Sequence, residues 1–290
     1  MRGHDGEIAF STVAILGVGL IGGSLGLALK RADSRVHIRG VGRDRARLDL
    51  ARRMGAIDEL DTRLSGVRDC KLVVLATPVT HILETLETIG PYLSAGAVVT
   101  DVGSTKRDIC RQAERCLPPE VGFIGGHPIA GREVTGVEHS LPGLFENAPY
   151  VFCPNGEEHP GGLQNLVHMA KSIGSRPSVM RAEEHDWILA RTSHLPQVIS
   201  TALASLSLQQ EDGGRELVPF SGTGFRDVLR LAGSAYSTWQ GILQTNADNV
   251  DSSLEEFIQH LQRIRRELKQ EGLAGDFQRA ADFYRRLRKK

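Results

Sequence analysis

The stretch VAILGVGLIGGS at residues 13–24 constrains this chain more than any other. Val13, Ala14, Ile15 and Leu16 run straight into Gly17, Gly19 and Gly22, and a helix-like run follows at 24–32. The spacing predicts a strand, a glycine turn and a helix start. The first glycine permits the tight turn, the second lets backbone approach a phosphate, and the third lets the helix pack close to the strand. The helix start then presents unpaired N–H groups to an anion. A plain tight βα turn uses glycines too, but the flanking strand and helix supply the context that a dinucleotide-binding turn requires. Gly17, Gly19, Leu20, Ile21 and Gly22 are the expected contacts to a dinucleotide pyrophosphate.

A second strand is expected at 36–41. In this kind of fold an acidic residue about 20 positions beyond the glycines holds the ribose 2′-hydroxyl. Counting from Gly22 reaches Gly42, followed by Arg43, Asp44 and Arg45. A guanidinium at Arg43 suits a 2′-phosphate, so the pattern favours NADP over NAD. The alternative is that Asp44 takes the ribose role and Arg43 is a solvated surface charge.

The following segments alternate in the same way. Strands are expected at 71–78, 96–101, 121–126, 150–153 and 178–180, with helices at 80–93 and 161–173 between them. Runs such as KLVVLATP at 71–78 lack polar alternation and fit burial on both faces of a parallel sheet. Thr77 and Pro78 close that strand on the cofactor side. From 182 the period changes to helical, with a long stretch at 182–209 interrupted near Pro196, a helix at 225–232, another from 251 and a last one at 276–290. The fold class is therefore α/β, a Rossmann-type dinucleotide-binding domain over 1–181, followed by an all-α domain over 182–290, the kind of domain that after a dinucleotide fold often closes over a small-molecule substrate and dimerises.

Composition narrows the class. The 290 residues carry 35 Lys+Arg against 35 Asp+Glu, which argues against a nucleic-acid partner, and 40% are hydrophobic, enough for a sizeable core. No apolar run is long enough for a membrane span, and the N-terminus lacks the apolar centre of a secretory signal. Cys70, Cys110, Cys116 and Cys153 show no metal-like pairing and read as reduced thiols of a cytoplasmic enzyme.

Ligands of such sheets bind beyond the carboxyl ends of the strands. Three loops meet that condition: 77–78, 101–106 (DVGSTK) and 127–131 (HPIAG) with Glu133 behind it. His127 is expected just after its strand, fixed by Pro128, where an imidazole can take a hydroxyl proton as a hydride leaves the same carbon; alone, it could equally be a structural histidine. In the second half, Ser193 and His194 form a polar pair in an apolar helix. Arg226 and Arg230 are four apart on one helix face, and arginine forks onto carboxylates. Together these groups suggest an anionic hydroxy substrate.

GVGLIGGS at 17–24, DVGSTK at 101–106, HPIAG at 127–131 with Glu133 and Gly136, SHLPQ at 193–197 and GFRDVLRLA at 224–232 together resemble the prephenate/arogenate dehydrogenase family from about residue 12 to 270. The resemblance implies a nucleotide-binding domain and a helical dimerisation domain. It also implies oxidative decarboxylation of prephenate to 4-hydroxyphenylpyruvate in tyrosine biosynthesis, or of arogenate directly to tyrosine. By motif, His127 is the base on the 4-hydroxyl and Ser104 orients it. His194 contacts substrate, Arg230 holds a carboxylate, and Glu133 lies at the pocket rim. Gln197 stands where many members carry a second histidine, at a position implicated in the choice between a pyruvyl and an alanyl side chain. The helical domain ends the chain, so any feedback by tyrosine is expected at the active site. Related dehydrogenases of β-hydroxy or sugar acids use a lysine in the helical half, and 182–210 contains none. A catalytically inactive nucleotide sensor is the remaining alternative, and the joint presence of His127, Ser104, His194 and Arg230 counts against it.

Overall fold

The computed structural model describes residues 8–132, 134–154, 161–269 and 271–288. Strand β1 (Thr12–Leu16) leads through the glycine turn into helix α1 (Leu20–Ala32). Then come β2 (His37–Val41), α2 (Arg45–Arg53), β3 (Glu59–Asp61), β4 (Leu72–Leu75) and α3 (Val79–Ile89). They are followed by β5 (Val98–Asp101), α4 (Arg107–Cys116), β6 (Gly122–Pro128), β7 (Pro149–Pro154), α5 (Gly162–Ser172) and β8 (Arg176–Val179). These eight strands form one sheet in the order β3-β2-β1-β4-β5-β6-β7-β8. All neighbouring pairs are parallel except β6 with β7.

Alternation along the strands feeds two cores. Val13 and Ile15 face one side with Leu25 and Leu29 of α1 and Met169 of α5. Ala14 and Leu16 face the other with Ile82 and Leu86 of α3 and Ile109 of α4. Because both faces are covered, the strands show continuous apolar runs rather than alternation. The chain winds outward from β1 to β3 and then returns to β4 on the other side of β1. The ends of β1 and β4 therefore diverge and open a crevice at the point where winding reverses.

Beyond β8 the described residues are helical. Helix α6 (Ala182–Leu189) passes through a π-helical turn, Ala190–His194, into α7 (Leu195–Asp212). Next are α8 (Thr223–Leu229), a 3-10 turn (Arg230–Gly233), α9 (Tyr236–Thr245), α10 (Ala247–Glu267) and α11 (Ala274–Leu287). The interruption expected near Pro196 is the π turn just before it: the helix continues on both sides, and the wider turn accommodates a proline that has no N–H to give to the preceding turn. Several apolar side chains here face outward, including Phe220 at 84% exposure, Phe277 at 76% and Leu268 at 65%. Ile258 and Leu261 on α10 and Leu268 at its C-cap are among these uncovered side chains.

Candidate active site

The glycine turn is shaped for an anion. Gly17 has φ +93°, and a Cβ there would lie 2.6 Å from the Ala76 carbonyl oxygen. A Cβ on Gly22 would collide with the Gly17 carbonyl, whereas one on Gly19 would meet nothing within 4 Å. Thus Gly17 and Gly22 are glycine for turn and packing, and Gly19 for open space in front of the turn. Gly19 caps α1, so the N–H groups of Leu20, Ile21 and Gly22 are the first of the helix and lack intrahelical acceptors. A cleft of about 650 Å³ runs from this turn; Gly17, Gly19, Arg43, Asp44, Thr77 and Pro78 are among its lining residues. Open space over Gly19 beside free helix N–H groups fits a dinucleotide pyrophosphate. The Asp44 side chain accepts from Arg47 N at 3.0 Å as the N-cap of α2, and Arg47 lines the same cleft.

The surroundings of His127 are assembled by a buried ion pair and a helix start. Lys106 and Asp101 are both fully buried and paired, and Lys106 Nζ also donates to the Gly126 carbonyl at 2.8 Å. Asp101 Oδ1 accepts from Gly126 N at 3.1 Å. This brace ties the end of β5 to β6 next to His127. His127 lies inside β6, paired with Val151 of antiparallel β7, rather than just after the strand as expected. The cause is the added antiparallel neighbour, which extends pairing as far as Pro128 and was not apparent from the apolar pattern.

The backbone N–H groups of Lys106 and Arg107, at the start of α4, donate to the two oxygens of Asp186 at 2.7 and 2.9 Å. Asp186 Oδ1 also takes His185 Nδ1 at 2.8 Å, and His185 Nε2 meets His127 Nδ1 at 2.8 Å. Burial holds His185 below the usual histidine range. It is therefore neutral with its proton on Nδ1, and its Nε2 must accept from the His127 Nδ1–H. That leaves His127 Nε2 as the unprotonated nitrogen. Burial, then the neighbouring His185, Lys106 and His194, push His127 well below its ordinary pKa.

Asn246 extends the arrangement. Its Nδ2 donates to the Asp186 carbonyl at 2.8 Å and approaches His194 Nδ1 at 3.1 Å, while its Oδ1 accepts from Asn249. His194 thus accepts at Nδ1 and carries its proton on Nε2, a buried donor with no hydrogen-bond partner among the described residues. Burial lowers its pKa to about 4. The π turn widens the helix where His194 sits, as such bulges do at many functional sites.

The expected site residues distribute as follows. Ser104 is half-buried in the loop from β5 to α4, two residues before the clamp on Asp186. Gln197 is 5% exposed; its Nε2 donates to the Leu231 carbonyl at 2.9 Å and its Oε1 has no partner among the described residues. Arg230 is exposed at the start of the 3-10 turn, as the C-cap of α8, four residues after Arg226. Glu133 lies outside the described residues. Hydrogen bonds join His127, His185, Asp186, Asn246 and His194 in an unbroken series, and one turn further along α7 Gln197 meets the residue after Arg230. Sequence reasoning did not single out His185 or Asp186. A His-Asp pair opening the first helix after the last strand was the available signal.

The comparisons with known proteins agree with this geometry. Residues 25–179 match the nucleotide-binding domain model of prephenate dehydrogenase, and 181–282 match its dimerization domain model. The chain is 33% identical to prephenate dehydrogenase of Bacillus subtilis over 90% of this chain and 71% of that protein. It is 31% identical to cyclohexadienyl dehydrogenase of Zymomonas mobilis over 88% of each. Among solved structures, prephenate dehydrogenase from A. aeolicus, in complex with hydroxyphenyl propionate and NAD+, superposes with TM-score 0.89 at 29% identity, covering 96% of this chain and 98% of that one. Synechocystis arogenate dehydrogenase gives 0.79 at 30% identity, covering 96% and 99%. With a glycine turn and cleft that fit a dinucleotide, and both halves matched in order, the chain belongs to the prephenate dehydrogenase family and is an NAD(P)-dependent oxidoreductase.

Proposed function

We propose that this enzyme converts prephenate to 4-hydroxyphenylpyruvate and CO2, with His127 Nε2 as the base. The observation that carries this reading is the His127–His185–Asp186 series, which leaves the proton-accepting nitrogen of a neutral imidazole free. A dinucleotide, its pyrophosphate held by the glycine turn, would supply a nicotinamide as hydride acceptor. As the hydroxyl-bearing carbon becomes electron-poor, His127 Nε2 takes the hydroxyl proton and relieves the positive charge. Cleavage of the ring carboxylate bond releases CO2 and leaves its electron pair to aromatise the ring. The oxygen becomes a phenolate, and His127 returns the proton to it. The imidazolium formed in between is offset by His185 and the Asp186 carboxylate. Ser104 orients the hydroxyl, and Glu133 stands at the pocket rim. The His194 Nε2–H and the Arg230 guanidinium bind carboxylate or carbonyl oxygens of the substrate, fixing it before the reaction.

Arg43 and Arg47 in the cofactor cleft, together with the employment of Asp44 as a helix cap, support NADP over NAD. The outward apolar side chains of the helical half support a homodimer formed through 182–290, with 1–181 as the nucleotide-binding domain and the composition that of a cytoplasmic enzyme. No described helix is long and apolar enough to cross a membrane. One observation favours arogenate as a second reading. The Leu231 carbonyl requires a donor and so fixes the Gln197 amide, leaving Oε1 a buried acceptor suited to an ammonium rather than a keto group. Steady-state rates with prephenate and arogenate, each with NAD and NADP, test the assignment. Reduction of cofactor by prephenate supports it, arogenate alone as substrate selects the second reading, and no turnover with either overturns both.

A further inference from the structure

Helix α8 does not run on smoothly to Gly233. In a continuous α-helix the N–H of Ala232 would bond to the carbonyl of Val228, four residues back. Here the Ser200 hydroxyl joins those two groups: Ser200 Oγ donates to the Val228 carbonyl at 2.8 Å and accepts from Ala232 N at 3.0 Å. The helix type changes from α to 3-10 between these two groups, at Arg230. A side chain inserted into the i→i−4 ladder is a recognised cause of a bend. Ser200 is 1% exposed, so water does not compete for its hydroxyl. One turn earlier on the same face of α7, Gln197 Nε2 donates to the Leu231 carbonyl at 2.9 Å. Two α7 side chains therefore satisfy backbone groups on both sides of Arg230. The same helix begins at His194, so they tie the arginine segment to the helix that carries the substrate-facing histidine.

We propose that Ser200 is a positioning residue: its hydroxyl, wedged into the ladder between Val228 and Ala232, sets the backbone from which Arg230 reaches the substrate carboxylate. Without the wedge, the ladder closes and the first residue of the 3-10 turn rotates into register with α8. The charge of Arg230 is kept while its origin moves. This inference rests on the carboxylate-binding role given to Arg230 above. A misplacement of about 1 Å is enough to cost up to about a hundredfold in efficiency.

The test is steady-state kinetics with prephenate on the full chain, in a double-mutant cycle of Ser200→Ala and Arg230→Ala, with Ser200→Thr as the hydroxyl-retaining variant. Ser200→Ala is expected to raise KM roughly tenfold while kcat stays within about twofold. Ser200→Thr is expected to restore KM, and Ser200→Ala is expected to add nothing once Arg230 is alanine. If Arg230→Ala leaves KM unchanged, the carboxylate-binding role fails, and this inference with it. If Arg230→Ala raises KM but Ser200→Ala does not, or if the two effects are additive, the role stands and the positioning by Ser200 is overturned. Should Ser200→Ala not fold, Gln197→Met removes the neighbouring brace and is read by the same cycle: non-additivity with Arg230→Ala supports positioning by the α7 face, and additivity overturns it.

Discussion

Replacing His185 by leucine isolates the tautomer argument, because this side chain sits behind His127 and is fully buried. In the intact site, the His127 Nδ1–H is satisfied by His185 Nε2 at 2.8 Å. Leucine removes that acceptor and leaves the N–H buried without a partner, which costs about 1–3 kcal/mol. That energy is what held the proton on Nδ1. In the variant the proton is free to move to Nε2, and the nitrogen that should accept the substrate proton is then occupied. A change of about 1–3 kcal/mol in favour of the wrong tautomer corresponds to about 5- to 160-fold in kcat. The assay follows absorbance of the reduced cofactor with saturating prephenate, and cofactor affinity is measured separately by fluorescence quenching. The expected result is a kcat lower by that factor with cofactor affinity unchanged, and partial recovery in His185→Gln, whose amide oxygen can still accept. A His185→Leu enzyme within about threefold of the unmodified rate would refute the reasoning, since the base would not need its proton held.

His127→Asn should lower kcat by about 10²–10⁴-fold, the worth of a positioned base, with cofactor binding kept; near-normal turnover would remove it from the mechanism. Arg43→Asp should shift the ratio of kcat/KM for NADP over NAD toward NAD, and an unaltered ratio would contradict the cofactor assignment. Stability should fall on mild acidification. The pKa values of His127, His185 and His194 are all depressed by burial, so between pH 6.5 and their folded values the unfolded chain binds more protons than the native one. Stability is therefore full above about pH 7 and declines as pH drops below about 6.5. His194 alone, at about 4 in the folded protein, accounts for about 3 kcal/mol lost by pH 4. Asp33, lowered to about 2 chiefly by its Arg35 partner, starts to contribute only below about pH 4. Urea midpoints that stay constant from pH 7.5 to 5 would show that these histidines do not titrate on unfolding.

Local chemistry made much of this protein legible in the sequence. A glycine with positive φ, a strand buried on both faces and a proline beside a break in a helix each act within a few residues, so Gly17, the Leu72–Leu75 centre of the 71–78 strand and the interruption near Pro196 were readable. The break at residue 182 was equally visible, because hydrophobic period changes there from that of a buried sheet to that of helices. Short elements with weak patterns were not readable: β3 spans only Glu59–Asp61, and α2 is largely arginine and leucine. Only the tertiary structure decided what touches what. The extension of β6 through His127 needed β7 to arrive antiparallel from twenty residues downstream. The carboxylate of Asp186 needed the start of α4, 79 and 80 residues away in the chain. The proton position on His127 depends on His185, 58 residues distant, and the turn carrying Arg230 depends on hydroxyl and amide groups from α7. Sequence fixes which groups are present and their local conformation. Hydrogen-bond direction, tautomer and desolvation belong to neighbours brought together by packing, and in this protein those neighbours come from opposite halves of the chain.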